Sequence, residues 1–442
     1  MSFKRFSFTL AVSILFATSM HAKVWTLDEC IVYAMENNIS LQKAGLSRME
    51  SNETYLSSKS ALFPSLSFNT TQNVAYNPWR ANGTSMVEGG HVESSSSTTS
   101  YNGSYSVGAN WIVWDGNRNH NAVRKNALLE MESEQDSISI ARKLEEQIVT
   151  LYIQILYSEE AVGVNKASLD AARRNEERAI KMVEVGAMSR AECSQLTATR
   201  AQDEYNVVQA ESNVRNYKRQ LKALLQIIDD EPFDVVDIKV TDAMALQAIP
   251  SLQSVYETAK CNRPEMRKAQ LAVQSAEIQQ RVAKSQRYPT VSMNASASTQ
   301  NSTMANKMWG EQLRSNFNLG AGVSVSVPIF DQRQSRTAIN KANIQRQTAL
   351  LDVQNQETTL YSNIENYWIQ ANNNQNQYKA AKVSTTAAND SYQLLSEQFA
   401  VGLKNIVELQ DGKVRLLTAQ QNELQSKYMT ILDIRMLELY KK

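Results

Sequence analysis

The chain has 442 residues, with 46 basic and 45 acidic side chains and only three His and three Cys. A balance this even argues against a nucleic-acid or other polyanion partner. Cys30, Cys193 and Cys261 show no paired spacing, which argues against a disulfide framework or a thiolate metal site.

Residues 1–22 read as a secretory signal peptide. Lys4 and Arg5 form its basic start, residues 6–17 its short apolar core, and the expected cut follows Ala22. The apolar run is shorter than the ~20 residues a membrane-spanning helix requires, and no cysteine stands at the cut to carry a lipid. No later apolar run is long enough to span as a helix, so the exported chain is either soluble or embedded by strands.

Residues 26–62 read as helix, capped by Thr26, with Asp28 and Glu29 in the first turn and a break at Asn37–Asn38. Pro64 ends it. The pattern returns at 251–287, broken at Asn262–Pro264 and stopped by Pro289. The offset between the copies there is 225 residues.

After each of these prolines the hydrophobic period changes from 3.6 to 2. Apolar and small polar residues alternate over about 65–76, 101–114, 290–299 and 317–329. The polar faces hold Ser, Asn, Thr and Gly with almost no charge. Such segments are either strands of a transmembrane barrel, with lipid on one face and water on the other, or half-buried hairpins of a soluble sheet. The uncharged polar faces favour the barrel. Aromatic residues near the segment ends, such as Trp79, Trp111, Trp114, Trp309 and Phe330, suit interfacial girdles. The loops 77–100 and 300–316 join the strands of each pair.

Helical patterning resumes after Asp115 and Asp331, now 216 residues apart. It continues without proline to Pro232 in one copy and to the last residue in the other. Leu144, Ile148, Leu151 and Ile155 match Leu360, Ile364, Tyr367 and Ala371 in a heptad-like repeat, which implies neighbouring helices at shallow angles. Each long helix ends in the same punctuation. Gly186, Ser189 and Glu192 in the first copy correspond to Gly402, Asn405 and Glu408 in the second. Glycine can turn the chain left-handed, and Ser or Asn followed three residues later by Glu is a capping-box pattern. Shorter helices then run back over 190–226 and 406–440, and residues 227–250 join the copies.

The chain thus divides into a signal peptide (1–22), a first repeat (23–226), a linker (227–250) and a second repeat (251–442). The expected fold is membrane α+β, with four barrel strands per chain and an internal duplication. Four strands cannot close a barrel, and open edges are not tolerated in lipid, so an oligomer is required. His21, His91 and His120 form no triad or metal constellation, so neither a catalytic site nor a cofactor is expected.

Here the sequence resembles the TolC-like outer membrane efflux protein family. The resemblance is carried by 26–38 with 61–68, the matching 259–273 with 286–293, SVPIFDQ at 326–332, and the turns at 185–192 and 401–411. It implies a homotrimeric 12-stranded barrel in the outer membrane, continued by a coiled-coil tunnel across the periplasm. It also implies a periplasmic adaptor docked on the helical tips, an inner-membrane pump behind the adaptor, and an exported substrate. By the same resemblance Gly186, Ala187, Gly402 and Leu403 stand at adaptor contacts. Glu192 and Glu408 stand inside the tunnel mouth, where helix capping alone is an equal explanation. Asp411 stands at a ring of carboxylates, with Gln195 at the repeat position, so any such ring comes from one copy. Lys404 stands where a base pairs with the acid aligned to Glu192. The alternative is an exported periplasmic coiled-coil adaptor or scaffold.

Overall fold

A computed structural model describes residues 24–79, 83–87, 90–94, 98–228, 232–236, 240–305 and 307–442. The proposed signal peptide lies outside the described residues. Elements follow in chain order. Strand β1 (Val24–Trp25), helices α1 (Leu27–Asn37) and α2 (Ile39–Ser60), and strand β2 (Ser65–Tyr76) come first. A hairpin of β3 (Gly83–Val87) and β4 (Gly90–Ser94) precedes β5 (Thr99–Trp114). Helices α3 (Arg118–Glu184) and α4 (Arg190–Leu224), strand β6 (Asp234–Val235) and the short helix α5 (Asp242–Ala245) complete the first half. The second half holds α6 (Leu252–Asn262), α7 (Pro264–Ser285), β7 (Thr290–Ser302), α8 (Trp309–Ser315), β8 (Asn318–Ser326), α9 (Gln334–Ala400) and α10 (Ile406–Lys441).

The chain forms two compact units. Among the described residues, unit 1 contains those within 24–39, 143–250 and 366–439. Its core gathers Cys30, Tyr152, Leu221, Tyr428 and Met436 around Ile148 and Ile155, two of the side chains the heptad pattern turns inward. Residues 227–250 are stitched onto this core. Strand β6 pairs in parallel with β1, and the Tyr152 hydroxyl donates to Val236 O at 3.0 Å. Gln375 on α9 donates to the carbonyls of Ala245 and Gln247, and Lys382 pairs with Asp242. Asn38, the helix breaker between α1 and α2, is buried and donates to Leu224 O at 3.0 Å. It thereby satisfies a carbonyl that the end of α4 would leave open.

Unit 2 contains residues 40–142, 251–365 and 440–442. Its sheet is antiparallel, in the order β2-β5-β7-β8. Register places Phe68, Val107, Ala297 and Leu319 side by side on one face. The neighbouring row, Ser67, Gly108, Ser296 and Gly320, lies on the other. Helices follow the same order as the strands they adjoin. Arg48 on α2 pairs with Glu130 and Glu134 on α3. Lys268 on α7 pairs with Asp136 on α3, and Glu277 on α7 with Arg346 on α9. The exposed apolar face cannot be a solvated surface: Leu66 is 76% exposed and Leu319 71%. Among the described residues no helix is long and apolar enough to cross a membrane.

The strands sit where alternation predicts them. The loops do not: 77–100 contains the β3–β4 hairpin and 300–316 contains α8. Short elements between Ser- and Asn-rich turns give too few periods to stand out.

Candidate functional site: the paired helix tips

Both reversals of unit 1 are built by the same local rules. At the first, Gly186 has φ +74°, its N–H donates to Val183 O, and Ala187 N–H donates to Met182 O at 2.8 Å. At the second, Gly402 has φ +76°, its N–H donates to Phe399 O, and Leu403 N–H donates to Gln398 O at 2.9 Å. These bonds satisfy carbonyls that a helix end leaves open. An added Cβ would meet nothing within 4 Å at either glycine. The left-handed backbone alone therefore selects glycine.

The next helices start on reciprocal caps. Ser189 Oγ accepts from Glu192 N–H at 3.2 Å, and the Glu192 carboxylate accepts from Ser189 N–H at 3.0 Å. Asn405 Oδ1 accepts from Glu408 N–H at 2.9 Å, and the Glu408 carboxylate accepts from Asn405 N–H at 3.2 Å. The Ser189 backbone and hydroxyl hold the Glu192 carboxyl below its usual pKa. Lys404, then the Asn405 backbone, hold that of Glu408 down.

Within the chain the Lys404 ammonium lies 2.6 Å from Glu408, one helical turn on, and not on Glu192. The cap geometry turns Glu408 back towards Lys404, while Glu192 is held by Ser189. Asp411 is exposed and pairs with Arg415 at 2.8 Å. The two residues stand four apart on α10, one helical turn.

Beneath the turns, Ala179, Leu196, Phe399, Ile406 and Leu409 form a small buried cluster. Beyond it, polar side chains join α4 to α10. Gln195 donates to Gln410 at 3.0 Å, and Gln410 donates to Thr199 at 2.7 Å. Lys413 is 8% exposed and pairs with Asp203, 6% exposed, which also accepts from Ser168 on α3. Sequence reasoning missed this link, because Lys and Asp on polar helices read as solvated until the partner helix is placed. The outermost surface is apolar: Val185, Val401 and Leu403 are each more than 70% exposed.

Among the described residues no group of three or more His, Cys, Asp or Glu is placed to hold a metal, and the three cysteines are free. Amphipathic strands with an uncharged polar face, joined to duplicated helical hairpins with capped tips, define an outer-membrane channel component. The chain belongs to the outer membrane efflux protein family, whose model matches residues 30–225 and 255–437. Among solved structures it is similar to CusC, at 14% identity and a TM-score of 0.78, over 94% of this chain and 91% of that one. VceC of Vibrio cholerae matches at 15% identity and TM-score 0.74, over 94% of this chain and 96% of that one. The open state of Neisseria gonorrhoeae MtrE matches at 16% and 0.75, over 94% and 88%. A sequence comparison with curated proteins finds no significant match. The family makes this chain an outer membrane efflux duct and not an enzyme, embedded by its strands with its helices in the periplasm. It selects the channel over the exported adaptor.

Proposed function

We propose that three copies of this chain join edge to edge, β8 of one to β2 of the next, into a 12-stranded barrel continued by a helical tunnel. One observation carries this: the four-stranded sheet has an exposed apolar face, an uncharged polar face and unpaired strands at both edges. In lipid every backbone N–H and C=O needs a partner, and ring closure supplies them. Signal peptide 1–22, repeat 23–226, linker 227–250 and repeat 251–442 remain the proposed division of the chain.

The tips form the periplasmic entrance. Gly186, Ala187, Gly402 and Leu403 present the turn and its apolar surface to a periplasmic adaptor, which links the duct to an inner-membrane pump. Asp411, with no carboxylate at the repeat position, supplies one charge per chain to a ring at the entrance. Its pair with Arg415 is exposed on both sides and thus weak, so the carboxylate stays available to a cation. Glu192, Glu408 and Lys404 act at the entrance mainly by fixing the helix starts.

Single-channel recording in planar bilayers tests the ring. Asp411→Ala weakens block by multivalent cations from the tip side about tenfold, as expected when three converging charges are lost. Block equal to that of the parent protein would remove Asp411 from the gate.

A further inference from the structure

Unit 2 holds a basic cavity that the duct itself does not require. At the end of β5 the chain leaves the sheet at Trp114, bends through Gly116 and Asn117, and enters α3. Beside it α7 ends and Tyr288 leads into β7. Between them lies a cavity of about 410 Å³ whose lining includes His120, Asn121, Arg124, Arg281, Lys284 and Tyr288. The lining contains no carboxylate. Among the described residues Arg124, Arg281 and Lys284 form no ion pair. Asn121 is only 8% exposed, yet its side chain makes no hydrogen bond among the described residues. Three solvent-facing cations without ion pairs, around an amide free of internal hydrogen bonds, describe a site that suits an anion with several acceptor oxygens.

Register and one ring contact place the cavity beside the apolar face of the sheet. Trp114 pairs with Val291 and Val291 with Val325, and Trp111 pairs with Met293 and Met293 with Val323. These side chains share the apolar face. The Tyr288 ring stands edge-on to Trp114 at 6.2 Å. The rim is therefore continuous with the aromatic belt of the lipid-facing surface, the level at which headgroups lie. Helices α3 and α7 adjoin the two central strands, so the cavity belongs to one chain and lies away from the sheet edges that another copy would cover.

The other copy lacks this set. At the repeat positions Arg124 becomes Asn340 and Arg281 becomes Leu56. Lys59, at the position of Lys284, lies over the Tyr55 ring at 4.1 Å. The basic cluster is thus no general requirement of a strand-to-helix junction.

We propose that this cavity binds the phosphate of a phospholipid headgroup at the periplasmic edge of the barrel. The two guanidinium groups supply paired donors to phosphate oxygens, Lys284 a point charge, and Asn121 an amide donor. Trp114 and Tyr288 flank the glycerol and the start of the acyl chains. The site rests on the membrane-embedded reading of the sheet, and the test separates the two.

Native mass spectrometry of the purified trimer, released from detergent with added phosphatidylglycerol, reads the site directly. The parent chain retains phosphatidylglycerol and not diacylglycerol, which has the same tails without phosphate. Arg124→Gln/Arg281→Gln lowers retention about fivefold or more, as loss of two bidentate partners requires. Should the double variant fail to assemble, Lys284→Gln, on an exposed last turn, must lower retention in the same direction. Millimolar inorganic phosphate leaves the lipid bound, because the rings hold its apolar end. Retention unchanged in the variants, equal retention of diacylglycerol, or full displacement by inorganic phosphate would each overturn the proposal. Failure of the parent chain to form trimers in detergent would strike the barrel reading instead.

Discussion

At the first tip Gly186 turns the chain and Ser189 with Glu192 starts the next helix; at the second, Gly402, Asn405 and Glu408 do the same. One helical turn further on the two copies part company. The first carries the uncharged Gln195 where the second carries Asp411. The first also supplies Asp203 and the second Lys413 to a single buried link, while their repeat positions hold Ala419 and Thr197. Backbone geometry is repeated because any long helix that reverses needs the same left-handed residue and the same capped start. Charge is not repeated, because the two return helices face each other and not identical neighbours.

The largest break in this comparison comes at the buried link. Asp203→Ala leaves the Lys413 ammonium buried without its carboxylate and costs about 3–5 kcal/mol of local stability. Hydrogen exchange over 196–203 and 409–416 reads the loss. Arg415→Ala removes the exposed partner of Asp411 and changes the same protection by less than ~1 kcal/mol. Similar effects from the two substitutions would mean that burial does not distinguish these pairs.

A smaller effect sharpens the likeness of the turns. Gly186→Ala and Gly402→Ala each cost about 1 kcal/mol, since each forces an L-residue into the left-handed region. With no atom near either added Cβ, the two losses come out equal in exchange at the tips. A markedly larger loss at Gly402 would show that its turn is packed against something besides its own chain.

The smallest effect is electrostatic. Both cap carboxyls titrate below the usual glutamate value of about 4.3. The folded tip therefore binds protons less readily than the unfolded chain. Its stability is fully present above that value and is lost as pH falls through the lowered folded values. Salt separates the copies: it weakens the second cap, where Lys404 contributes, and leaves the first, held by Ser189 alone. Protection measured from pH 6 down to 3 at low and high salt checks both statements. An equal salt response at the two tips would remove Lys404 from the cap.

Long-range order was legible wherever a short pattern recurs many times. Alternation located β2, β5, β7 and β8, and Pro64 and Pro289 marked the starts of β2 and β7. The heptad pattern picked out Ile148 and Ile364, both fully buried. Helix starts at Thr26, Ser189 and Asn405 were legible because a cap needs only two side chains three residues apart. Links between distant segments were not. Lys413 and Asp203 are 210 residues apart, and nothing local marks either as a buried partner. Arg124 and Arg281 likewise meet only because β5 and β7 are neighbours in the sheet. The Lys404–Glu408 contact spans only four residues at the start of α10, whereas the pairing with Glu192 that the resemblance implies joins the two copies.

Helices α3 and α9 are each 67 residues long. The nine residues by which the copies differ in spacing all fall outside the long helices, between Pro64 and Asp115 in one copy and Pro289 and Asp331 in the other, since the offset changes from 225 before that stretch to 216 after it. The difference in length between the two copies thus lies in the strand-and-loop stretch, and the long helices match. An insertion of a single heptad into α3 would carry Gln195 and Asp203 a full repeat past Gln410 and Lys413, so it would have to be answered by the same insertion in α9. The stretch between Tyr76 and Thr99 carries no such obligation. A peptide tag belongs there, where a graft has no twin to match.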